Sequence, residues 1–193
     1  MASKLITWGF LLFATFPLRA YSFNWGERLA WDTSQVSYAL DSSIPRPWRP
    51  AIHRAARCWS QSGARFAFIY DSTSTNLLCL KSLSSGLVSI TSVHHQPGET
   101  VIRRCLTLFS KGKGFSPQGK PATHEYDLET VALHEFGHWL KLGHVANPDC
   151  VMYDSLYPER MKRDLSFDER KASAPFIPHG PEGEKGKTQG RPS

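Results

Sequence analysis

The stretch HEFGHWLKLGH, residues 134–144, holds three histidines and one glutamate at a spacing typical of a metal site. Residues four apart on a helix lie on one face, so His134 and His138 can offer two imidazoles to one ion. His144 follows six residues later and can supply a third nitrogen. Three imidazoles favour a single Zn²⁺ in tetrahedral coordination with one position left for water, which is the arrangement of a catalytic site.

Glu135 lies between the first two histidines, where its carboxylate can reach a water molecule on the metal. Bound zinc lowers the pKa of its water to about 7, and a neighbouring glutamate can then act as the general base. The alternative is a histidine-containing core helix without a metal, because the five-residue pattern His-Glu-x-x-His also occurs by chance. The residues that follow the pattern favour the metal site.

Two features extend the pattern beyond five residues. His144 continues it at the spacing of the longer signature His-Glu-x-x-His-x-x-Gly-x-x-His, and Met152 follows eight residues after His144. With the flanking residues 127–133 and 151–153, the sequence resembles the matrixin branch of the metzincin zinc metalloproteases. The resemblance implies that Met152 lies in the Met-turn, which supports the zinc site from below and takes no part in the chemistry.

Lys141 occupies the position at which the longer signature has glycine. In the family, that glycine ends the helix and turns the chain so that the third histidine can reach the metal, and glycine adopts φ > 0 at little cost. A lysine in the left-handed region costs roughly 1–2 kcal/mol. A zinc site, worth about 10 kcal/mol or more, could absorb that cost. Alternatively, Gly143 makes the turn.

Alternating apolar residues and turn residues predict five strands and three helices. The predicted strands are 35–40, 65–70, 76–81, 86–93 and 100–109, and the predicted helices are 51–61, 128–142 and a short one after a capping box of Ser166 and Glu169. Asp127 is the predicted N-cap of the middle helix, and residues 110–121 are predicted to be a surface loop.

This element order resembles that of the matrixin catalytic domain over residues 36–171. The resemblance implies an α+β fold, an α/β sandwich of the zincin type. It has a twisted, mostly parallel five-stranded sheet with an antiparallel edge strand, three helices, and zinc on the second helix. By order, the edge strand begins at Gly86, and we expect Gly86, Leu87, Val88 and Ser89 to bind the main chain of an extended peptide as an added strand.

The N-terminus has the pattern of an export signal. Lys4 precedes an apolar run over residues 5–16, and Ala20 is a plausible last residue before cleavage. The run is shorter than the roughly 20 residues that span a bilayer, so no membrane span is predicted. A buried N-terminal helix or an uncleaved anchor is the alternative. The predicted organisation is a signal peptide at 1–20, a metalloprotease domain at 21–174 and a disordered tail at 175–193.

Two features of the animal matrixins are not found in this pattern. Little sequence separates the predicted signal from the first predicted elements, so we expect no propeptide whose cysteine blocks the zinc. Asp-rich calcium loops are also not evident, and the fifth predicted strand carries Arg103 and Arg104 instead. The pattern is more similar to the compact matrixin-like proteases of bacteria.

The four cysteines, Cys58, Cys79, Cys105 and Cys150, are an even number in a chain predicted to be exported. This predicts two disulfides, for which three pairings exist. Cys79 with Cys105 is the preferred pair because both lie in predicted strands, and Cys58 with Cys150 would then join the first helix to the Met-turn. The alternative is that some are small buried hydrophobic residues.

The formal net charge of +6 comes from scattered basic residues, without the clustered face that nucleic-acid binding requires. We therefore expect that the protein binds no nucleic acid. The expected partner is a protein or peptide substrate, and the chain is expected to be a monomer. The predicted function is a secreted zinc-dependent endopeptidase, extracellular or periplasmic, that hydrolyses internal peptide bonds with a zinc-bound water and Glu135. The alternative is a non-catalytic, zinc-containing binding module on the same fold. Lys141 is its only support, and Glu135 argues against it.

Overall fold

The computed structural model of the protein describes residues 29–63, 66–84 and 86–173. The predicted signal peptide, residues 1–20, and the predicted tail, residues 175–193, lie outside the described residues. Within them, no helix is both long and apolar enough to cross a lipid bilayer.

Seven strands and three α-helices follow one another along the described chain, and a single 3-10 turn, Arg46–Trp48, precedes the first helix. The strands are β1 Gln35–Leu40, β2 Ala67–Tyr70, β3 Leu77–Lys81, β4 Ser89–His94, β5 Arg104–Ser110, β6 Gly114–Ser116 and β7 Glu125–Asp127. The helices are α1 Arg49–Ser60, α2 Leu128–Trp139 and α3 Phe167–Ser173. All five predicted strands and all three predicted helices are therefore present; β1 has the predicted bounds, and each of the others with predicted bounds is shifted at one or both ends.

The main sheet has the strand order β2-β1-β3-β5-β4. Strands β1, β2, β3 and β5 run parallel, while β4 lies at the edge and pairs antiparallel with β5. This confirms the predicted α+β class with a mostly parallel five-stranded sheet and an antiparallel edge strand. The edge strand begins at Ser89, later than the predicted Gly86, because Gly86 has φ +99° and interrupts the extended chain.

A second, two-stranded parallel sheet of β6 and β7 replaces part of the predicted surface loop at 110–121. Each of these strands has three residues, which is too short for an alternating pattern to be recognised in the sequence. Phe115, in β6, is buried against the rings of Phe109 and Trp48. This contact anchors the segment that leads into α2.

Helix α2 lies at the centre of the molecule, and His138 is the only one of its residues that is not buried. A helix that is covered on all sides needs partners for its backbone as well as its side chains. Trp59 of α1 supplies one, since its indole Nε1 donates to the carbonyl oxygen of Leu133 at 2.8 Å. The ligand-bearing helix is therefore held rigidly between α1 and the sheet.

Neither predicted disulfide is formed, and Cys58, Cys79, Cys105 and Cys150 are all thiols. The register explains why the preferred pair was wrong. Cys79 lies opposite Leu108 of β5, three residues beyond Cys105. Three residues of strand span about 10 Å, more than the roughly 7 Å over which two Cα atoms can be bridged. An odd offset also directs the two side chains to opposite faces of the sheet.

Candidate metal centre

The three predicted ligands converge on one point. The Nε2 atom of His134 lies 3.1 Å from that of His138 and 3.2 Å from that of His144. Nitrogens held at the Zn–N distance of about 2.0–2.1 Å in a tetrahedron lie about 3.3–3.4 Å apart. The donor set and its spacing therefore fit one tetrahedral zinc ion, with a fourth position toward the cleft.

Backbone carbonyls fix the orientation of two of the rings. His134 Nδ1 lies 2.8 Å from the carbonyl oxygen of Val151, and His138 Nδ1 lies 2.9 Å from that of Leu142. A carbonyl can only accept, so each Nδ1 carries the proton and donates it. Each Nε2 then presents its lone pair to the shared point, as a metal ligand must.

Loss of solvent favours the neutral form of His134 and of His144. Loss of solvent around His134 lowers its pKa to about 4, even though the neighbouring Glu135 acts to raise it. Burial also lowers the pKa of His144. A neutral ring has no proton on Nε2 to be displaced, so the site is prepared for a cation at neutral pH.

The chain reaches His144 through a turn at Lys141, whose φ is +61°. Helix α2 ends at Trp139, earlier than the predicted Leu142, and two hydrogen bonds close its end. Lys141 N–H donates to the carbonyl of His138 at 2.9 Å, and Leu142 N–H donates to the carbonyl of Gly137 at 3.1 Å. This is a Schellman motif, which normally has glycine at the left-handed position. The alternative turn at Gly143 is not used.

Met152 packs against helix α2 at Gly137, which lies between the first two predicted ligands in the chain. Its side chain is fully buried and packs so closely on α2 that a Cβ atom on Gly137 would overlap its sulfur. Its backbone is held from two sides, because Val145 N–H donates to its carbonyl and its own N–H donates to Glu169 Oε1.

Glu169 connects the Met-turn to α3. It is completely buried, and its second carboxylate oxygen accepts from Ser166 N–H at 2.8 Å, while Ser166 Oγ accepts from Glu169 N–H. The predicted capping box is thus confirmed. The sequence did not reveal that the same carboxylate holds Met152, because the two residues are far apart in the chain.

Glu135 faces a cleft of about 1230 Å³ between α2 and the edge strand. Gly86, Leu87, Val88 and Ser89, the residues predicted to bind substrate, all line this cleft together with the three histidines. Two hydroxyl groups of β4 reach the carboxylate: Ser89 Oγ donates to Oε1 at 2.6 Å and Thr91 Oγ1 to Oε2 at 2.5 Å.

Comparison with known proteins identifies this segment. Residues 97–174, which contain β5, α2, the three histidines and Met152, match the family model described as Matrixin. In this segment the chain is similar to the matrixins, a branch of the metzincins. Strands β1 to β4 and helix α1 lie before the matched segment, and there the likeness rests on the architecture of the sheet.

Several similar proteins are plant metalloendoproteinases. Metalloendoproteinase 1 of Glycine max is 45% identical over 49 residues, which are 25% of this chain and 16% of that protein. Metalloendoproteinase 1-MMP of Arabidopsis thaliana is 54% identical over 43 residues, 22% of this chain and 12% of that protein. Metalloendoproteinase 5-MMP of Arabidopsis thaliana is 35% identical over 66 residues, 34% of this chain and 18% of that protein.

The matrixin-like chain thus matches less than a fifth of the length of each of these relatives. The likeness to compact bacterial forms, expected from the sequence, stays an expectation. The matrixin family is zinc-dependent, and the histidine cluster offers three ligand atoms within 4.8 Å of one another.

The start of α2 is fixed by a buried carboxylate. Asp127 is the predicted N-cap, and its Oδ2 accepts from Thr130 N–H at 3.0 Å and from Thr130 Oγ1 at 2.7 Å. Arg163 also binds this carboxylate, with Nε 3.0 Å from Oδ2, and lies 3.3 Å from Glu129. The hydrogen bond to Asp127 raises the pKa of Arg163. The cap was predictable from the sequence, whereas the arginine 36 residues away was not.

Proposed function

We propose that this chain is a secreted zinc-dependent endopeptidase that hydrolyses internal peptide bonds of proteins. The observation that carries the proposal is the convergence of three imidazole Nε2 atoms beside the Glu135 carboxylate, in a cleft bounded by the antiparallel edge strand. The family likeness and the names of the plant relatives support the same reaction class.

In this proposal, His134, His138 and His144 hold one zinc ion through their Nε2 atoms. When bound there, zinc activates a water molecule for attack and polarises the scissile carbonyl, stabilising the negative charge that develops on its oxygen. The carbonyl partners of His134 and His138 keep both rings in the ligating tautomer.

Glu135 is the general base. It lies on the cleft side of α2, one residue from the first ligand, and the residue as a whole is only 3% exposed. It removes a proton from the attacking water and then delivers it to the leaving amine, so the same carboxyl group acts first as base and then as acid. Met152 supports the histidines from below and exchanges no proton.

The substrate is an extended polypeptide that lies along β4. One side of β4 pairs with β5, and its other side is the edge of the sheet. An edge strand offers main-chain N–H and C=O groups that an extended peptide can pair with, whatever its side chains. Leu87 and Ile90, which are 42% and 41% exposed, add apolar contacts for substrate side chains.

Secretion is part of the proposal and depends on the signal peptide at 1–20. The thiols do not contradict export, since Cys79 and Cys105 are buried and burial raises the pKa of both. A buried thiol that is protonated reacts slowly with oxidants and with other thiols. Intact mass of the protein recovered from the culture medium tests for cleavage after Ala20.

The decisive experiment compares the parent with Glu135→Gln in digestion of casein or gelatin, each protein analysed for bound zinc. The expected result is one zinc per chain in both, and a loss of 10²–10⁴-fold or more in the variant, because the amide cannot take the proton. Asp168→Asn makes the same change at an exposed position on α3 and should retain full activity.

A zinc chelator should abolish digestion by the parent, and added zinc should restore it. Full activity in Glu135→Gln would show that Glu135 is not the base. A zinc-loaded parent that cuts neither protein would overturn the endopeptidase proposal in favour of the non-catalytic binding module.

A further inference from the structure

The hydroxyls that reach Glu135 belong to a longer chain of hydrogen bonds. Thr91 Oγ1, which donates to Glu135, lies 2.6 Å from Thr107 Oγ1 on the neighbouring strand β5. Thr107 Oγ1 in turn lies 2.8 Å from the indole Nε1 of Trp139. Four side chains from two strands and one helix are therefore linked in a row.

The direction of every bond in this row follows from its two ends. An indole N–H can only donate, so Thr107 Oγ1 accepts from Trp139. A carboxylate can only accept, so Thr91 gives its own hydrogen to Glu135. Between the two threonines, Thr107 must then be the donor. The hydrogen bonds of the row therefore all point the same way, from Trp139 through both threonines to the carboxylate. Hydrogen bonds aligned in this way strengthen one another.

Backbone regularity places these groups together. Glu135 and Trp139 are four residues apart, so they lie on the same face of α2. Thr91 and Thr107 are directly opposite each other in the antiparallel pairing of β4 and β5. Ser89, two residues before Thr91, points to the same face of β4 and binds the other carboxylate oxygen. The arrangement thus depends on the register of the edge strand.

We propose that Ser89, Thr91 and Thr107 are positioning residues. They hold the Glu135 carboxylate in the orientation in which it can accept a proton from the attacking water. Two of them fix the two carboxylate oxygens, one each, and Thr107 fixes Thr91. This inference rests on the proposed function of Glu135, and it adds that the edge strand orients the base as well as the substrate.

The burial of the row supports this role. Thr107 and Trp139 are completely buried, so neither can touch a substrate in the cleft. A glutamate side chain has several rotatable bonds, and holding it in one rotamer costs conformational entropy. With the row in place, the Glu135 side chain is ordered once, when the protein folds, and need not be ordered again in each catalytic cycle. A base held within reach of its proton then acts without rearrangement.

Thr107→Val is the most informative variant, because it removes a hydroxyl that contacts neither the metal ligands nor the cleft. We expect kcat for a peptide substrate to fall about 10-fold with KM unchanged, by analogy with the lower end of the loss that follows removal of a hydrogen-bond partner of a metal ligand. Thr107→Ser keeps the hydroxyl and should restore kcat. Ser110→Ala, which removes a buried hydroxyl at the end of the same strand, should leave kcat at the parent value.

Parental kcat in Thr107→Val, or an equal loss in Thr107→Ser, would overturn the inference, since the hydroxyl would then not matter. A rise in KM with unchanged kcat would also overturn it, because it would indicate a role in substrate binding. Zinc content should be the same in all four proteins.

A second measurement needs neither metal nor activity. In the metal-free protein, Thr107→Val should lower the melting temperature by roughly 3 °C. A Glu135→Leu background removes the carboxylate at the end of the row. In that background, Thr107→Val should lower the melting temperature clearly less. Equal shifts in both backgrounds would overturn the link between Thr107 and Glu135. This double-mutant cycle decides the inference even if the protein proves to have no peptidase activity, so the two failures can be told apart.

Discussion

The two ends of helix α2 are built in opposite ways. At its start, Asp127 is a residue suited to the N-cap position, and Arg163 adds a charged partner to the same carboxylate. At its end, Lys141 occupies a left-handed position that favours glycine. The first end is bonded by side chains, whereas the second is closed by backbone hydrogen bonds and contains strain.

The difference follows from what each end must do. The start of α2 only has to hold the helix against β7 and the segment at Arg163, so the residue that satisfies the helix best can be used. The end must turn within a few residues so that His144 can return to His134 and His138. Strain of roughly 1–2 kcal/mol at Lys141 is small beside the binding of a metal at the site that the turn completes.

The largest effect is expected at the first end. Asp127→Ala removes the cap and leaves the half-buried Arg163 guanidinium without its main partner, so we expect a loss of about 3–5 kcal/mol in the free energy of unfolding. The expected value lies toward the lower figure, since Glu129 is still 3.3 Å from Arg163. Denaturant unfolding of the metal-free protein measures this loss.

Asp127→Asn is the matched control, because asparagine can still cap a helix but carries no charge. Asp127→Asn should lower the free energy of unfolding by less than Asp127→Ala does. The difference between the two variants gives the contribution of the cap. Unchanged stability in Asp127→Ala would show that the two ends do not differ as described.

An intermediate effect is expected inside the helix, at Gly137. Alanine in a helix interior normally adds about 1 kcal/mol of stability over glycine. Here its Cβ would overlap Met152 Sδ and lie 3.1 Å from Trp59 Cζ2, and such overpacking costs about 1–3 kcal/mol. We expect a net loss of up to about 2 kcal/mol in Gly137→Ala, measured by denaturant unfolding.

The Met152→Ala background separates the two contributions at Gly137. Without the methionine side chain, Gly137→Ala should become neutral or stabilising. The remaining contact with Trp59 Cζ2, at 3.1 Å, needs a shift of only a few tenths of an ångström, and the gain in helix propensity offsets it. A loss of the same size in both backgrounds would mean that the Met-turn does not restrict this position.

Much of the second half of the molecule could be predicted because its constraints are local in sequence. The ligands on α2 follow from helical spacing, Asp127 from its capping chemistry, and the box of Ser166 and Glu169 from a four-residue pattern. The mostly parallel sheet and its antiparallel edge strand followed from the family resemblance and not from periodicity alone. The strain at Lys141 was also foreseeable, since one residue of a known signature differs there.

The errors concern contacts between distant parts of the chain. The Cys79–Cys105 pair failed because strand assignment gives no register, and a shift of three residues separates the thiols. The row of hydrogen bonds from Trp139 to Glu135 also depends on strand register, here that of β4 against β5. The sequence gives one signal for this row, which is Thr107 between two leucines in the middle of β5. A hydroxyl group that is buried there requires a hydrogen-bond partner.

The smallest effect is expected at the second end and needs a pair of variants. Lys141 is only 6% exposed, so any truncation loses the packing of its side chain as well as its other contacts. Lys141→Ala and Lys141→Gly lose these equally but differ in backbone freedom. At φ +61° glycine avoids the steric cost that alanine keeps, so Lys141→Gly should be more stable than Lys141→Ala by about 1 kcal/mol. A helical residue at this position would give the opposite sign by a similar amount, because glycine is the poorer helix former. Thermal melts of the two variants, metal-free and zinc-loaded, therefore distinguish a strained turn from a continued helix by sign alone. If alanine proves the more stable, the contrast between the two ends of α2 is lost, and the chain must reach His144 by a turn that starts beyond Lys141.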